Sequence, residues 1–317
     1  MKELTQFAAD VLAGLSSSPR SLSSKYFYDD EGSRLFQEIM QLPEYYLTNC
    51  ETEIFSTRSA EIHDELVNGS SGVDIIELGA GDGTKTAILI ETFIRQNTDL
   101  TYSPIDISRE AVDTLSDKFK VRFPRLQVDS HVGDYFEILS SLNADNGRRK
   151  VILFLGSNIG NFGRDRAIEF FRGLRSSMNA GDLLLIGFDL QKDPRTILRA
   201  YDDTAGITAR FNLNLLTRIN RELDADFAPE KFSHYANYNP IDGSARSYLI
   251  SCEKQSVEIR ALGRTFDFDQ WEAIFMEISQ KYSLTMIEDM AAEGGFSVKR
   301  NFFDIKRYFC DSLWQLG

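Results

Sequence analysis

Between residues 74 and 188 the chain alternates short apolar runs with longer amphipathic stretches. Residues 74–78, 102–106, 127–132, 150–155 and 182–188 read as strands, and 85–96, 109–123 and 164–178 as the helices between them. Runs apolar enough to be buried on both faces, joined by helices of this length, predict a parallel sheet with helices on both sides. The expected fold class is therefore α/β, a doubly wound sheet.

The alternation does not extend over the whole sequence. Residues 5–12, 32–41 and 51–65 read as helices, with the aromatic segment Leu42-Pro43-Glu44-Tyr45-Tyr46 between the last two. Beyond residue 190 the pattern predicts helix over 192–221, with Ala200-Tyr201-Asp202-Asp203 inside it, then strands at 247–254 and 256–261. A helix at 270–282, a strand at 284–289 and a last strand at 303–310 complete the reading. The expected organisation is a core of 55–190 and 281–317, with a second, smaller α+β domain made of 1–54 and the insertion 191–280.

Charge changes the picture by exclusion. A formal net charge of −13 over 317 residues argues against a nucleic-acid partner, because phosphate binding needs a basic surface. Cys50, Cys252 and Cys310 lie far apart without a C-x-x-C pair, and His63, His131 and His234 are equally scattered. No disulfide frame and no metal site is expected. The apolar stretch from Phe7 to Leu15 is broken by Asp10, too short and mixed for a signal peptide, and no run is long enough to span a membrane. A cytoplasmic monomer acting on a small molecule is the expectation.

The densest chemistry lies in Ile75-Ile76-Glu77-Leu78-Gly79-Ala80-Gly81-Asp82-Gly83-Thr84. A strand runs into glycines at alternate positions and then into a helix. Glycine there permits positive φ and close approach of backbone to ligand. The spacing is G-x-G-x-G, whereas the dinucleotide fingerprint is G-x-G-x-x-G, which disfavours a dinucleotide oxidoreductase. Asp106 closes the next strand, where a carboxylate suits a pair of ribose hydroxyls. Together these residues resemble the S-adenosylmethionine site of class I methyltransferases.

Further motifs follow in order: Lys25-Tyr26-Phe27-Tyr28-Asp29 with Gly32-Ser33, the Leu42–Tyr46 segment, and Phe154-Leu155-Gly156-Ser157-Asn158-Ile159-Gly160-Asn161. Arg199-Ala200-Tyr201-Asp202-Asp203, Phe211-Asn212, Asn220-Arg221-Glu222-Leu223 and Glu277-Ile278-Ser279 complete the set. Over nearly its whole length the chain resembles the histidine-specific Nα-methyltransferases of ergothioneine biosynthesis. The resemblance implies a cofactor site for S-adenosylmethionine at Gly79, Lys85, Asp106, Asp134 and Tyr135. It implies a histidine site at Tyr28, Tyr45, Asn161, Tyr201, Glu277 and Ser279, with Tyr28 and Asn161 closest to the chemistry. It also implies three successive transfers, giving the trimethylated betaine hercynine.

The residues taken alone leave other readings open. Asp134 suits a helix N-cap, Lys85 a solvated helix position, and Glu277 the wet face of the helix expected over 270–282. Tyr28 and Tyr45 sit among aromatics that could simply pack. Asp202 and Asp203 resemble an acid pair, but neighbours on a helix point apart, so a structural role is expected. The chain departs from the family where Asn158 replaces the more usual threonine, and along 243–252, which forms part of the expected side-chain pocket. The alternative is a methyltransferase for another amino acid or biogenic amine, and a non-catalytic cofactor-binding module lies further off.

Overall fold

The computed structural model describes residues 4–106, 109–142 and 147–317. In chain order, α1 (Gln6–Ser16), β1 (Arg20–Ser21), α2 (Asp30–Met40) and α3 (Tyr46–Val67) come first. Then follow β2 (Val73–Leu78), α4 (Thr84–Arg95), β3 (Leu100–Asp106), α5 (Arg109–Arg122), β4 (Gln127–Val128), β5 (His131–Val132) and α6 (Tyr135–Ser141). Next are β6 (Arg149–Phe154), α7 (Arg164–Ser176), β7 (Leu183–Asp189), α8 (Pro194–Arg199) and α9 (Ile207–Leu223). The last third holds β8 (Phe232–Asn239), β9 (Ser244–Ser251), β10 (Gln255–Ile259), β11 (Arg264–Phe268), β12 (Ala273–Gln280), α10 (Leu284–Gly294), β13 (Phe296–Phe303) and β14 (Phe309–Leu316).

The chain divides into two compact units, one comprising residues up to Tyr46 with Lys192–Ser279, the other Leu47–Gln191 with Gln280–Gly317. The second unit is built on a sheet of order β13-β14-β7-β6-β2-β3-β4, with β5 also paired to β3. Strands β7, β6, β2, β3, β4 and β5 run parallel, and β14 joins β7 antiparallel. Every residue of β7 is buried, as are five of the six in β6, which is why these strands read as continuous apolar runs. The order reverses at β2, with β3 on one side and β6 on the other, and crevices at such a switch point are where doubly wound sheets bind ligands. The fold class is α/β, with a main doubly wound sheet and a smaller, separate one.

The first unit carries the sheet β1-β12-β9-β8 and the hairpin β10–β11. Its core joins α1, α2 and α9 to the sheet through Leu15, Leu35, Leu216, Leu249, Ile274 and Met276.

Four stretches differ from the sequence reading. Where a helix was expected over 270–282, Ala273–Gln280 form strand β12, because pairing to β1 and β9 outweighs the helix propensity of Ala, Met and Glu. Residues 284–289 belong to helix α10, announced by the Ser283 cap, whose hydroxyl accepts from the Met286 N–H. Residues 303–310 are mostly a turn: the Asp304 carboxylate accepts from the N–H groups of Lys306, Tyr308 and Phe309 and reverses the chain between β13 and β14. The helix expected over 192–221 breaks at 200–206, where Asp203 leaves it to accept from the N–H groups of Ile207 and Thr208. Strands β8 and β11 lay in stretches without an expectation, and 127–132 splits into β4 and β5.

A fully buried ion pair anchors the return of the chain into the second unit: Lys281 Nζ lies 2.8 Å from Asp189, with neither side chain exposed. Around it, the Tyr282 N–H donates to the Asp189 carbonyl, and the Asp189 N–H to Ser157 Oγ. Removing one partner strands a charge in the interior. Lys281→Met is expected to destabilise the protein by about 3–5 kcal/mol, read by urea denaturation; a loss below about 1 kcal/mol would show that the pair is dispensable.

Candidate functional site

In the second unit the ends of β2 and β6 are both turned by glycine in the left-handed region, Gly79 at φ 69° and Gly156 at φ 73°. These are positions where a side chain would be strained and would intrude. A Cβ on Gly79 would stand 3.1 Å from Tyr135 Oη and 3.7 Å from the Asn158 amide nitrogen. One on Gly156 would stand 3.5 Å from Lys85 Nζ and 3.8 Å from the Asn158 amide. Gly79, Tyr135, Lys85, Gly156 and Asn158 thus share one cradle, with two bare stretches of backbone and a cation beside them. Asn158, where the chain departs from the family pattern, lies on this cradle beside the glycine loop.

Lys85 is not a solvated lysine. Its ammonium donates to Glu51 of α3, a residue with no exposure, and the other Glu51 oxygen accepts from the Gly156 N–H at 2.8 Å. Lys85 is disfavoured as a cation by its burial, but Glu51 more than offsets this and its ionisation is raised. The first turn of α4 is tied to β2 by Glu77, which accepts from Thr86 Oγ1 at 2.7 Å and from the Tyr102 hydroxyl at 2.6 Å. Burial lifts the Glu77 carboxyl to about 7 in spite of those two bonds. Glu77 is therefore an internal brace that sets Lys85.

Asp106 ends β3, and its charge, after burial and together with that of Asp134, raises the Tyr135 phenol to about 12. Tyr135 is neutral near pH 7. Asp134 is the N-cap of α6: its Oδ1 accepts from the N–H groups of Phe136 and Glu137. The cap fixes the carboxylate and leaves Oδ2 outside it. Asn161 closes a single 3-10 turn, Asn158–Asn161, whose Ile159 carbonyl accepts from the Tyr282 hydroxyl at 3.1 Å. Gly160 packs there so closely that a Cβ would come within 2.9 Å of the Gln280 carbonyl.

The first unit holds Tyr28, Tyr45, Tyr201, Glu277 and Ser279. The correction of 270–282 from helix to strand decides their arrangement. On a helix, residues two apart point away from each other; on β12, Glu277 and Ser279 share a face, opposite to core residues Ile274 and Met276. The Tyr201 hydroxyl, in the break between α8 and α9, donates to Ser279 Oγ at 2.8 Å in buried surroundings. Tyr28 packs edge-on to Phe36 and Phe211, and Phe36 in turn meets Tyr45. Although Tyr28 is 45% exposed as a residue, crowding around its hydroxyl comes first and the Glu277 charge second in pushing its ionisation well up, with Tyr45 and Tyr201 adding to it. Tyr28 stays a neutral phenol.

Sequence reasoning gave no role to the residues that hold these groups. Asp29 caps α2 through the Gly32 N–H, accepts from Asn214 Nδ2 and pairs with Arg221, which explains the Tyr28-Asp29…Gly32 and Asn220-Arg221 motifs as one brace for Tyr28. Gly32 is obligatory there: a Cβ would fall 1.7 Å from the Phe27 carbonyl oxygen. Glu51 carried no local signal at all. A surface groove along Leu15–Arg20 and Thr265–Asp267 of the first unit contains none of the site residues. Among the described residues, no group of three or more His, Cys, Asp or Glu is arranged to hold a metal ion, and no helix is long and apolar enough to cross a membrane.

Gly79 is the most sensitive point of the cradle. Gly79→Ala is expected to lower affinity for S-adenosylhomocysteine at least tenfold, measured by calorimetry, because alanine at φ 69° costs about 1–2 kcal/mol and its methyl group presses on Tyr135. Unchanged affinity would place the ligand elsewhere.

A family model described as "Histidine-specific methyltransferase, SAM-dependent" matches residues 7–316. The chain is 36% identical over 286 residues to the histidine N-alpha-methyltransferase of Mycobacterium tuberculosis (strain CDC 1551 / Oshkosh), covering 90% of this chain and 87% of that protein. It is 37% identical over 287 residues, with the same coverage, to the enzyme of the same name in Mycolicibacterium smegmatis (strain ATCC 700084 / mc(2)155). Ergothioneine biosynthesis protein 1 of Schizosaccharomyces pombe (strain 972 / ATCC 24843) is 29% identical over 283 residues, matching 87% of this chain and 36% of that longer protein. With the match running from residue 7 to residue 316, across both units, the chain belongs to the SAM-dependent, histidine-specific methyltransferases.

Proposed function

We propose that the protein methylates the α-amino nitrogen of L-histidine three times to give hercynine, the first step of ergothioneine biosynthesis. The observation that carries this reading is the face of β12, where Glu277 and Ser279 stand together with Tyr201 bonded to Ser279 and Tyr28 beside Glu277. Neutral imidazole offers one donor and one acceptor. In this reading the Ser279–Tyr201 hydroxyl pair meets the acceptor nitrogen, while Glu277 accepts from the ring N–H. A side chain lacking either group leaves a polar partner unsatisfied, which a buried site penalises heavily.

On the cofactor side, Lys85 meets the methionyl carboxylate and Asp106 accepts from the ribose hydroxyls. The second Asp134 oxygen accepts from the adenine amino group, and Tyr135 packs against the adenosine. S-adenosylmethionine, when bound, supplies the methyl group on a sulfonium whose departure needs no proton. The chain's own task is then to orient the amine and to hold it neutral. Asn161 holds the amino acid's polar end, and Tyr45 contributes through an ordered water. Tyr28, as a phenol, accepts a hydrogen bond from the amine through its oxygen and does not take the proton. All these residues come from one chain, so a monomer suffices. Cys50, Cys252 and Cys310 form no disulfide, which suits a reducing, cytoplasmic setting.

Purified protein given S-adenosylmethionine and a panel of amino acids is expected to yield trimethylated histidine as the dominant product by mass spectrometry. Dominant methylation of another amine would overturn the reading. Glu277→Gln is expected to reduce kcat/KM for histidine about 10- to 150-fold, the worth of a hydrogen bond to a charged group. For Tyr28→Phe the pH profile is the decisive readout. The rate rises with pH as the substrate ammonium, near 7.7–8.0 in model α-amino groups, loses its proton. The variant is expected to lower the plateau about tenfold, roughly one hydrogen bond, while the midpoint stays in place. Loss of that rising limb would instead make Tyr28 the base.

A further inference from the structure

Asp311, in the middle of β14, is fully buried, and neither of its carboxyl oxygens has a hydrogen-bond partner. Its surroundings show what it faces. Its cross-strand neighbour on β7 is Gly187, and side chains of such a pair lie on the same face of the sheet. A Cβ on Gly187 would fall 2.4 Å from Glu51 Oε1, so the absent side chain is what admits the Glu51 carboxylate to that face beside Asp311. Glu51 already receives the Gly156 N–H on one oxygen and the Lys85 ammonium on the other. The charged groups acting on Asp311 are Glu51 of α3 and Lys85 of α4, with Glu77 of β2 acting in turn on Lys85. The neighbours on the flanking strands, Gly187 and Phe302, carry no titratable group.

Two carboxylates and one ammonium in a dry interior leave one uncompensated negative charge, a costly state that a buried acid avoids by keeping its proton. As an acid, Asp311 gains a donor, and Glu51 is the acceptor next to it. We propose that Asp311 is a positioning residue of the cofactor site: a neutral acid that donates to Glu51, holds the Glu51–Lys85 pair against Gly156, and leaves the remaining donors of Lys85 to the carboxylate of the ligand. The ligand part rests on the function proposed above; the shared proton does not. Burial, then the Glu51 charge, pushes the Asp311 carboxyl well up, opposed by Lys85, in agreement with this geometry.

The sign of the pH effect follows from the raised ionisation. The folded chain keeps the Asp311 proton while the unfolded chain loses it above about pH 4, so this contribution to stability falls as pH rises until the folded-state ionisation is reached. The experiment compares wild type with Asp311→Asn, which copies the neutral acid and cannot titrate, by urea unfolding of ligand-free protein from pH 5 to pH 8. The ratio of wild-type to variant folding constants is expected to fall nearly tenfold per pH unit, and the comparison largely cancels other groups such as Glu77. A ratio independent of pH would overturn the shared proton.

Binding supplies the second readout. Asp311→Leu, which removes the donor, is expected to weaken S-adenosylhomocysteine about tenfold. It should leave 5′-methylthioadenosine, which lacks the amino-acid carboxylate, unchanged, and Asp311→Asn should restore the first affinity. Equal weakening of both ligands, or no rescue by asparagine, would overturn the positioning role. Failure of wild type to bind either ligand would overturn the cofactor reading and that role together, while the unfolding ratio would still judge the proton. If Asp311→Leu does not fold, equal affinity of wild type and Asp311→Asn for S-adenosylhomocysteine supports the role, and a tenfold loss in Asp311→Asn overturns it.

Discussion

The buried carboxylate of Glu51 is the constraint on which the second unit's site depends. It receives the ammonium that the glycine loop brings up from α4 and the backbone N–H that closes β6. Neither bond would form if Gly187 carried a side chain, since a Cβ there would occupy the carboxylate's place. A charge of this kind is expensive to bury unless every lone pair finds use, and here each partner is itself fixed by something else. Lys85 is fixed by an α4 whose first turn is tied to Glu77, and Gly156 by a left-handed turn at the end of a fully packed strand. The cation is thereby held close to bare backbone at the switch point of the sheet, where doubly wound sheets bind ligands.

The first unit solves a different problem. Reading an imidazole ring requires a donor and an acceptor whose positions do not drift, and neither an exposed tyrosine nor a surface glutamate has that property alone. Strand pairing supplies rigidity for Glu277 and Ser279, and the break after α8 lets Tyr201 reach Ser279. Tyr28 is held from behind: Asp29 is clamped by Gly32, Asn214 and Arg221, and the ring stands against Phe36 and Phe211. That Tyr28 remains a phenol follows first from the crowding around its hydroxyl and then from its closeness to Glu277. The negative charge of Glu277 helps to keep a neighbouring hydroxyl from ionising.

Much of this was legible in the sequence because its signals are local. The glycine loop after β2, the carboxylate at the end of β3 and the apolar strands β6 and β7 each announce themselves within ten residues, so the fold class could be named from the chain alone. The N-cap role of Asp134 was also readable as a local pattern, and the structure shows that cap. What tertiary structure alone decided is non-local. Residues 273–280 contain good helix formers, and only pairing with β1 and β9 made them a strand, which in turn put Glu277 and Ser279 on one face. Glu51, Gly187 and Asp311 come from α3, β7 and β14, separated by most of the chain, and nothing near any of them foretells the others. The sequence determined which residues could carry the chemistry, because side-chain type and backbone freedom are local properties. Which of them meet, and in what state of charge, was decided by packing, because burial and proximity exist only once the chain has folded.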